Sequence, residues 1–115
     1  MERRLAAILA ADVVGYSRLM AIDEAATLTA LKAVKHETID RLIEQHDGRV
    51  VKLMGDGILV EFPSAVKSIE CAVEIQRQMR ERKGRNDDTL EYRIGINVGD
   101  VMVDGDDIYG DGVNI

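Results

Sequence analysis

The sequence predicts an α+β sandwich, a β-sheet with its helices packed on one face. Three observations carry that expectation. Runs with strand character and runs of helical period follow one another as strand, helix, strand, strand, helix, strand, strand. Gly55-Asp56-Gly57 joins two runs rich in β-branched residues, a strong short-range hairpin signal. Both helical runs end at a glycine, Gly48 and Gly84, so each has a stop as well as a period. A sheet with helices on a single face is the economical way to bury the apolar sides of these elements.

The first element is LAAILAADVVG, residues 5–15, read as a buried central strand ending in a polar turn. The basic start of MERRLAAILAADVVGYS has the outline of a short signal peptide. Asp12 interrupts the apolar run early, and no stretch approaches the ~20 residues needed to span a bilayer, so the strand is preferred. Asp23 can cap a helix beginning at Glu24, in which Leu28, Leu31, Val34, Ile39, Leu42 and Ile43 recur at helical spacing. Gly48 is placed to end it. The hairpin follows, with strands near 49–54 and 58–62. Pro63-Ser64 starts a second helix whose expected apolar face is Val66, Ile69, Ala72, Val73, Gln76 and Met79. Arg77, Arg80, Arg82 and Lys83 complement the dipole at its C-terminal end. GRNDD is a loop, and LEYRIGINVGDVMVDGDDIYG reads as two more strands, with turns at Gly99-Asp100 and around Gly105. The order resembles a ferredoxin-like sandwich. GDGVNI reads as the start of another helix, so residues 1–115 are expected to be the N-terminal larger part of one domain, truncated at its C-terminal side.

Composition narrows the chemistry. The 115 residues suffice for one domain with one modest core. The formal charge of −6, from 21 acidic against 15 basic residues, argues against a nucleic-acid partner. Cys71 is the only cysteine, so no internal disulfide forms, which fits a reducing cytoplasm. His36 and His46 stand ten residues apart on the first helix, expected to face solvent, without zinc-ligand spacing. No GxxxxGK[ST] loop and no Ser/His/Asp arrangement is present.

Three residues stand out against the hairpin and strand background. Lys52 lies inside the first hairpin strand, by simple alternation on the face of Val50 and Met54. Asp56 is flanked by glycines on both sides, and Asp12 ends the first strand. If the hairpin's first strand lies beside the N-terminal strand, Asp12 and Asp56 meet at neighbouring strand ends, a donor set suited to Mg²⁺ or Mn²⁺. By residue type and spacing alone, each aspartate serves a turn equally well. Lys52 is equally a rim lysine, and Asp104, Asp106, Asp107 and Asp111 a solvated hairpin tip.

Taken together, ADVVGYSRLM, VVKLMGDGILVEF, RIGINVGDV and DDIYGDGVN resemble, in order and spacing, the catalytic domain of class III adenylate/guanylate cyclases over nearly all 115 residues. The resemblance implies an adenylate cyclase, converting ATP to 3′,5′-cyclic AMP and pyrophosphate in intracellular signalling. Asp12 and Asp56, with the carbonyl of Val13, match the ligands of two Mg²⁺ (or Mn²⁺) ions. Gly15, Tyr16 and Ser17 match the turn around the triphosphate. Lys52 and Asp107 match the pair that reads the purine, and Lys/Asp at those positions points to ATP where Glu/Cys would point to GTP. Asn114 matches the asparagine that orients the ribose. Since one chain carries both sets, a head-to-tail homodimer with two shared sites is implied, in the cytoplasm and without membrane contact from this segment. The family's arginine four residues after the asparagine falls past Ile115, so the 115 residues alone are expected to be inactive. The alternatives are a cyclase-homology module that binds nucleotide and dimerises without turnover, and a guanylate cyclase. A diguanylate cyclase would need Gly-Gly-(Asp/Glu)-Glu-Phe at a hairpin, which MGDGILVEF lacks.

Overall fold

A continuous apolar run, Leu5 to Ala11, makes the middle of strand β1 (Glu2–Val13), which is buried on both faces. Ala7, Leu9, Ala11 and Val13 point to one side, Ala6 and Ile8 to the other. A strand apolar on both faces belongs at the centre of a sheet, and β1 is the middle strand here. The computed structural model describes residues 2–84, 90–104 and 107–109, with residues 103–104 and 107–109 described as backbone only. After β1 come helices α1 (Tyr16–Ile22) and α2 (Glu24–Val34), a π-helical turn at Lys35–Ile39, and α3 (Asp40–Gln45). The hairpin β2 (Arg49–Met54) and β3 (Gly57–Phe62), helix α4 (Ala65–Gly84), and strands β4 (Tyr92–Asp104) and β5 (Asp107–Tyr109) complete the order. Among the described residues all strand pairs are antiparallel, and the five strands lie as β2-β3-β1-β4-β5.

The helices cover one face, as the α+β sandwich requires. Phe62, Val60, Leu9, Val34, Leu42 and Ile75 are among the residues of that core. A smaller cluster, Ala6, Ile8, Leu59 and Val101, lies on the opposite face. β5 comes back against β2 although they are the two edge strands of the sheet. Among the described residues, no helix is long and apolar enough to cross a membrane.

Several sequence expectations are met locally. Asp23 caps α2, its carboxylate accepting from Ala26 N–H at 3.0 Å. Ser64 accepts from Lys67 N–H at 3.2 Å at the start of α4. The long first helix ends where Gly48 N–H donates to Ile43 O at 2.8 Å, but the left-handed residue is Asp47, with φ 62°. Gly48 is required for a different reason, since a Cβ there would stand 2.7 Å from Phe62 Cε1 and 2.9 Å from Ile43 Cγ2.

Other expectations are corrected. The apolar face of α4 is not centred on Val66, Ile69 and Val73, which are exposed; Ser68, Cys71, Ile75 and Met79 face the sheet. Small Ser68 satisfies its hydroxyl on Ala65 O at 2.7 Å, which lets the helix lie close on that side. Burial pushes the Cys71 thiol up to about 11. Gly99-Asp100 is not a turn: Gly99 pairs with Ala6 and Asp100 with Leu5 inside an uninterrupted β4. His46 is half-buried rather than solvent-facing, its Nδ1 2.7 Å from Leu42 O. The turn around Gly105, most of the GRNDD loop and the helix start at GDGVNI lie outside the described residues.

Candidate active site

The β1–β3 register runs from Ala7↔Phe62 to Ala11↔Ile58, so Asp12 and the Gly55-Asp56-Gly57 turn arrive at one end of the sheet. The expectation that Asp12 and Asp56 meet at neighbouring strand ends is met, with one correction. It is the hairpin's second strand, β3, that lies beside β1; β2 is the edge strand. The burial patterns give the reason: Ile58 to Phe62 are all buried, whereas β2 carries exposed Val50, Lys52, Leu53 and Met54 and cannot sit inside the sheet.

Asp56 is tied to β1 directly. Its Oδ2 accepts from Val13 N–H at 2.9 Å, and among the described residues its Oδ1 has no hydrogen bond. Gly55 has φ +60°, a conformation that disfavours a side chain. At Gly57 a Cβ would stand 3.2 Å from Met54 O and 3.9 Å from Asp12 Cβ, so the second glycine keeps the space between turn and Asp12 open. Asp12 is half-exposed and is held through Oδ1 alone, by Arg93 Nη2 at 3.1 Å and Nε at 3.2 Å. Its Oδ2 is left free among the described residues. Among the described residues there is no group of three His, Cys, Asp or Glu side chains placed to hold a metal ion. The side-chain donors at this end are the two carboxylates, each with one oxygen that has no hydrogen bond among the described residues. An all-oxygen, incomplete set of that kind fits a hard cation that also takes water and phosphate oxygens, and not zinc.

Lys52 is re-aimed by a β-bulge. Val50 pairs with Val60 and Lys52 with Leu59, the register shifting at Val51. Val50 thus shares the helix-bearing face with Val60, while Lys52 and Met54 share the helix-free face with Leu59. The expected common face of Lys52 and Val50 is corrected accordingly. Asp12, between inward Ala11 and Val13, also points to the helix-free side. Asp107 opens β5, paired in register with Asp104, and β5 lies against the strand that carries Lys52; its side chain and all of Asn114 lie outside the described residues.

Gly15 is left-handed at φ 67° and caps α1, its carbonyl accepting from Leu19 N–H at 3.0 Å. Tyr16 packs against the core and Ser17 is exposed, so the expected turn is the first turn of a short helix. Behind the hairpin turn lies a cavity of about 160 Å³ lined by Leu31, Lys35, Ile39, Leu53, Asp56 and Tyr92, among others. It is smaller than the ~300–1,000 Å³ of a small-molecule site and opens on the helix side of the turn. Sequence reasoning missed Arg93. Its contact with Asp12 depends on the β1–β4 register across 81 residues, for which no local motif exists.

The fold, an antiparallel sheet with helices on one face and two aspartates at one end, finds its family by comparison with known proteins. The adenylate and guanylate cyclase catalytic domain model matches residues 2–115, and the chain belongs to that family. "Putative adenylate cyclase 3" of Rhizobium meliloti (strain 1021) is 51% identical over 117 residues, covering 100% of this chain and 20% of the relative. An adenylate cyclase of Streptomyces coelicolor is 33% identical over 116 residues, covering 100% of this chain and 29% of the relative. A crystal structure of an adenylate/guanylate cyclase/hydrolase from Silicibacter pomeroyi superposes with a TM-score of 0.90 at 47% identity, over 98% of this chain and 67% of that one. The chain thus spans less than a third of the length of either of these two curated relatives.

Proposed function

We propose that residues 1–115 form the N-terminal larger part of an adenylate cyclase catalytic domain, acting in the cytoplasm on ATP to give 3′,5′-cyclic AMP and pyrophosphate. The observation that carries this reading is the Asp56 Oδ2···H–N Val13 bond, which ties the hairpin turn to the strand end that bears Asp12. The names of the two curated relatives support the choice of adenylate over guanylate chemistry.

In this reading Asp12, Asp56 and the Val13 carbonyl hold two Mg²⁺ or Mn²⁺ ions. Bound there, the metals supply an acidified ribose 3′-hydroxyl and charge neutralisation at the triphosphate. The 3′-oxygen forms its bond to the α-phosphorus as the bond to the β-phosphate bridging oxygen breaks; the hydroxyl proton goes to solvent and pyrophosphate leaves. The chain's own residues orient the substrate. Lys52 donates to adenine N1, Asp107 accepts from the 6-amino group, Asn114 holds the ribose, and the Gly15-Tyr16-Ser17 turn packs around the phosphates.

Each site draws on two chains. Lys52 and Asp56 lie on one short hairpin, and we assign them to different nucleotides, the metal end of one protomer facing the base-reading end of its partner. The test is complementation in the complete protein containing this domain. Asp56→Ala breaks the metal side and Lys52→Ala the base side. Mixed dimers keep one intact site, so with random pairing activity returns to about a quarter of wild type by symmetry counting. Mixing that restores nothing, despite demonstrated subunit exchange, would sink the shared site.

A further inference from the structure

We infer that Arg93 is the resident counter-ion of the metal site: it holds Asp12 when no divalent cation is present and yields the carboxylate when one arrives. The inference rests on the assignment of Asp12 and Asp56 as metal ligands. The β1–β4 register is unbroken from Glu2↔Val103 to Val13↔Tyr92, and Asp12 and Arg93 are direct cross-strand partners within it. The backbone ladder therefore fixes the pairing, because a slip of one residue would send Arg93 to the other face of the sheet.

The geometry suits a contact that lets go. Nη2 at 3.1 Å and Nε at 3.2 Å both reach Oδ1, leaving Oδ2 of Asp12 free among the described residues. In this assignment Oδ2 of Asp12 and Oδ1 of Asp56 are the oxygens a cation would take first, while the guanidinium is still on Oδ1 of Asp12. The side chain of Arg93 is 73% exposed and that of Asp12 42% exposed. A pair so exposed adds little to folding stability, so its effect falls on the charge of the site. Among the described residues no other basic side chain bonds to Asp12 or Asp56. Arg93 is a positioning residue, and it sets how much free divalent cation is needed to load the site.

The expected effect is a gain of binding on removal. Arg93→Gln should bind Mn²⁺ about two- to fivefold more tightly at low ionic strength, the range an exposed ion pair supports. Arg93→Lys, which keeps the charge, should stay near wild type. The gap between Gln and wild type should close as salt rises, since the Debye length falls to about 8 Å at 0.15 M. The measurement is Mn²⁺ titration of the purified, nucleotide-free protein, following free Mn²⁺ by electron paramagnetic resonance, with circular dichroism to show an unchanged fold. Asp12→Asn and Asp56→Asn identify the signal. Binding indifferent to both aspartates would remove the metal assignment and the inference with it. Binding that needs both aspartates but is equal or weaker in Arg93→Gln would overturn the inference alone.

Discussion

The proposed function gives Asp56 two loads, one structural and one catalytic, that separate by substitution. Its Oδ2 accepts from Val13 N–H at 2.9 Å, and Val13 is buried at 3% exposure. Asp56→Ala leaves that N–H without its partner, a loss of about 1–3 kcal/mol for a buried donor. Asp56 itself is only half-buried, so water can reach the vacated space, and the lower part of the range, about 1–2 kcal/mol, applies. For a domain of this size, that lowers Tm by about 4–8 °C. Asp56→Asn keeps a carbonyl acceptor in the same place and should melt within about 2 °C of wild type. Both should abolish metal-dependent turnover in the complete protein, because the amide is a poor ligand for a hard cation. The assay is a pair of thermal melts by circular dichroism beside cyclic AMP production. Equal melting of the two variants would refute the structural load. Robust Mg²⁺-dependent activity in Asp56→Asn would refute the catalytic one.

Gly48→Ala should destabilise by about 1–3 kcal/mol through overpacking, since the new methyl meets Phe62 and Ile43, both buried; a urea midpoint equal to wild type would contradict the close approach. At Glu61, burial alone would raise the carboxyl, but hydrogen bonds from Arg4 and Arg49 more than offset this and hold it below its ordinary 4.5. A depressed carboxyl stabilises above that value and loses its contribution as pH falls through the folded-state pKa. Glu61→Gln should therefore be less stable than wild type at neutral pH, with the gap narrowing as pH falls below 4.5; a gap that stays constant through that fall in urea unfolding would count against it. Lys52→Glu with Asp107→Cys should lower ATP use and raise GTP use, each mismatched hydrogen bond costing about 1–3 kcal/mol; an unchanged ATP/GTP ratio would remove the pair as base readers.

What the sequence disclosed follows the range of the interactions involved. The hairpin at 49–62, the cap at Asp23 and the helix start at Pro63-Ser64 depend on residues a few positions apart, and they stand where the pattern placed them. The face of α4 was misread because apolar character was equated with burial. Ser68 and Cys71 are small enough for the helix to settle on, whereas Val66, Ile69 and Val73 lie on its outer flank. Helix α1 was missed because its seven residues bury no side chain fully and so carry no clear period. The bulge at Val51 and the pairing of Asp12 with Arg93 depend on strand register, which alternation alone does not fix. Of the candidate site, the aspartates were legible as glycine-flanked or strand-terminal acids, while the counter-ion required the sheet.

The central position of β1 also governs the order in which the protein can be made. Strand β1 leaves the ribosome before its partner β4, and Arg93, opposite Asp12, is translated 81 residues later. At ~5–20 residues per second, that interval lasts about 4–16 s. Throughout it, a run of alanine, isoleucine and leucine destined for burial on both faces has no completed sheet to enter. Such a segment is the kind that pairs with neighbouring nascent chains. Arg3 and Arg4 on one side and Asp12 on the other bracket it with charge, in the manner of residues that discourage aggregation. The carboxylate that ends the strand thus has work during synthesis, before there is any site for it to serve.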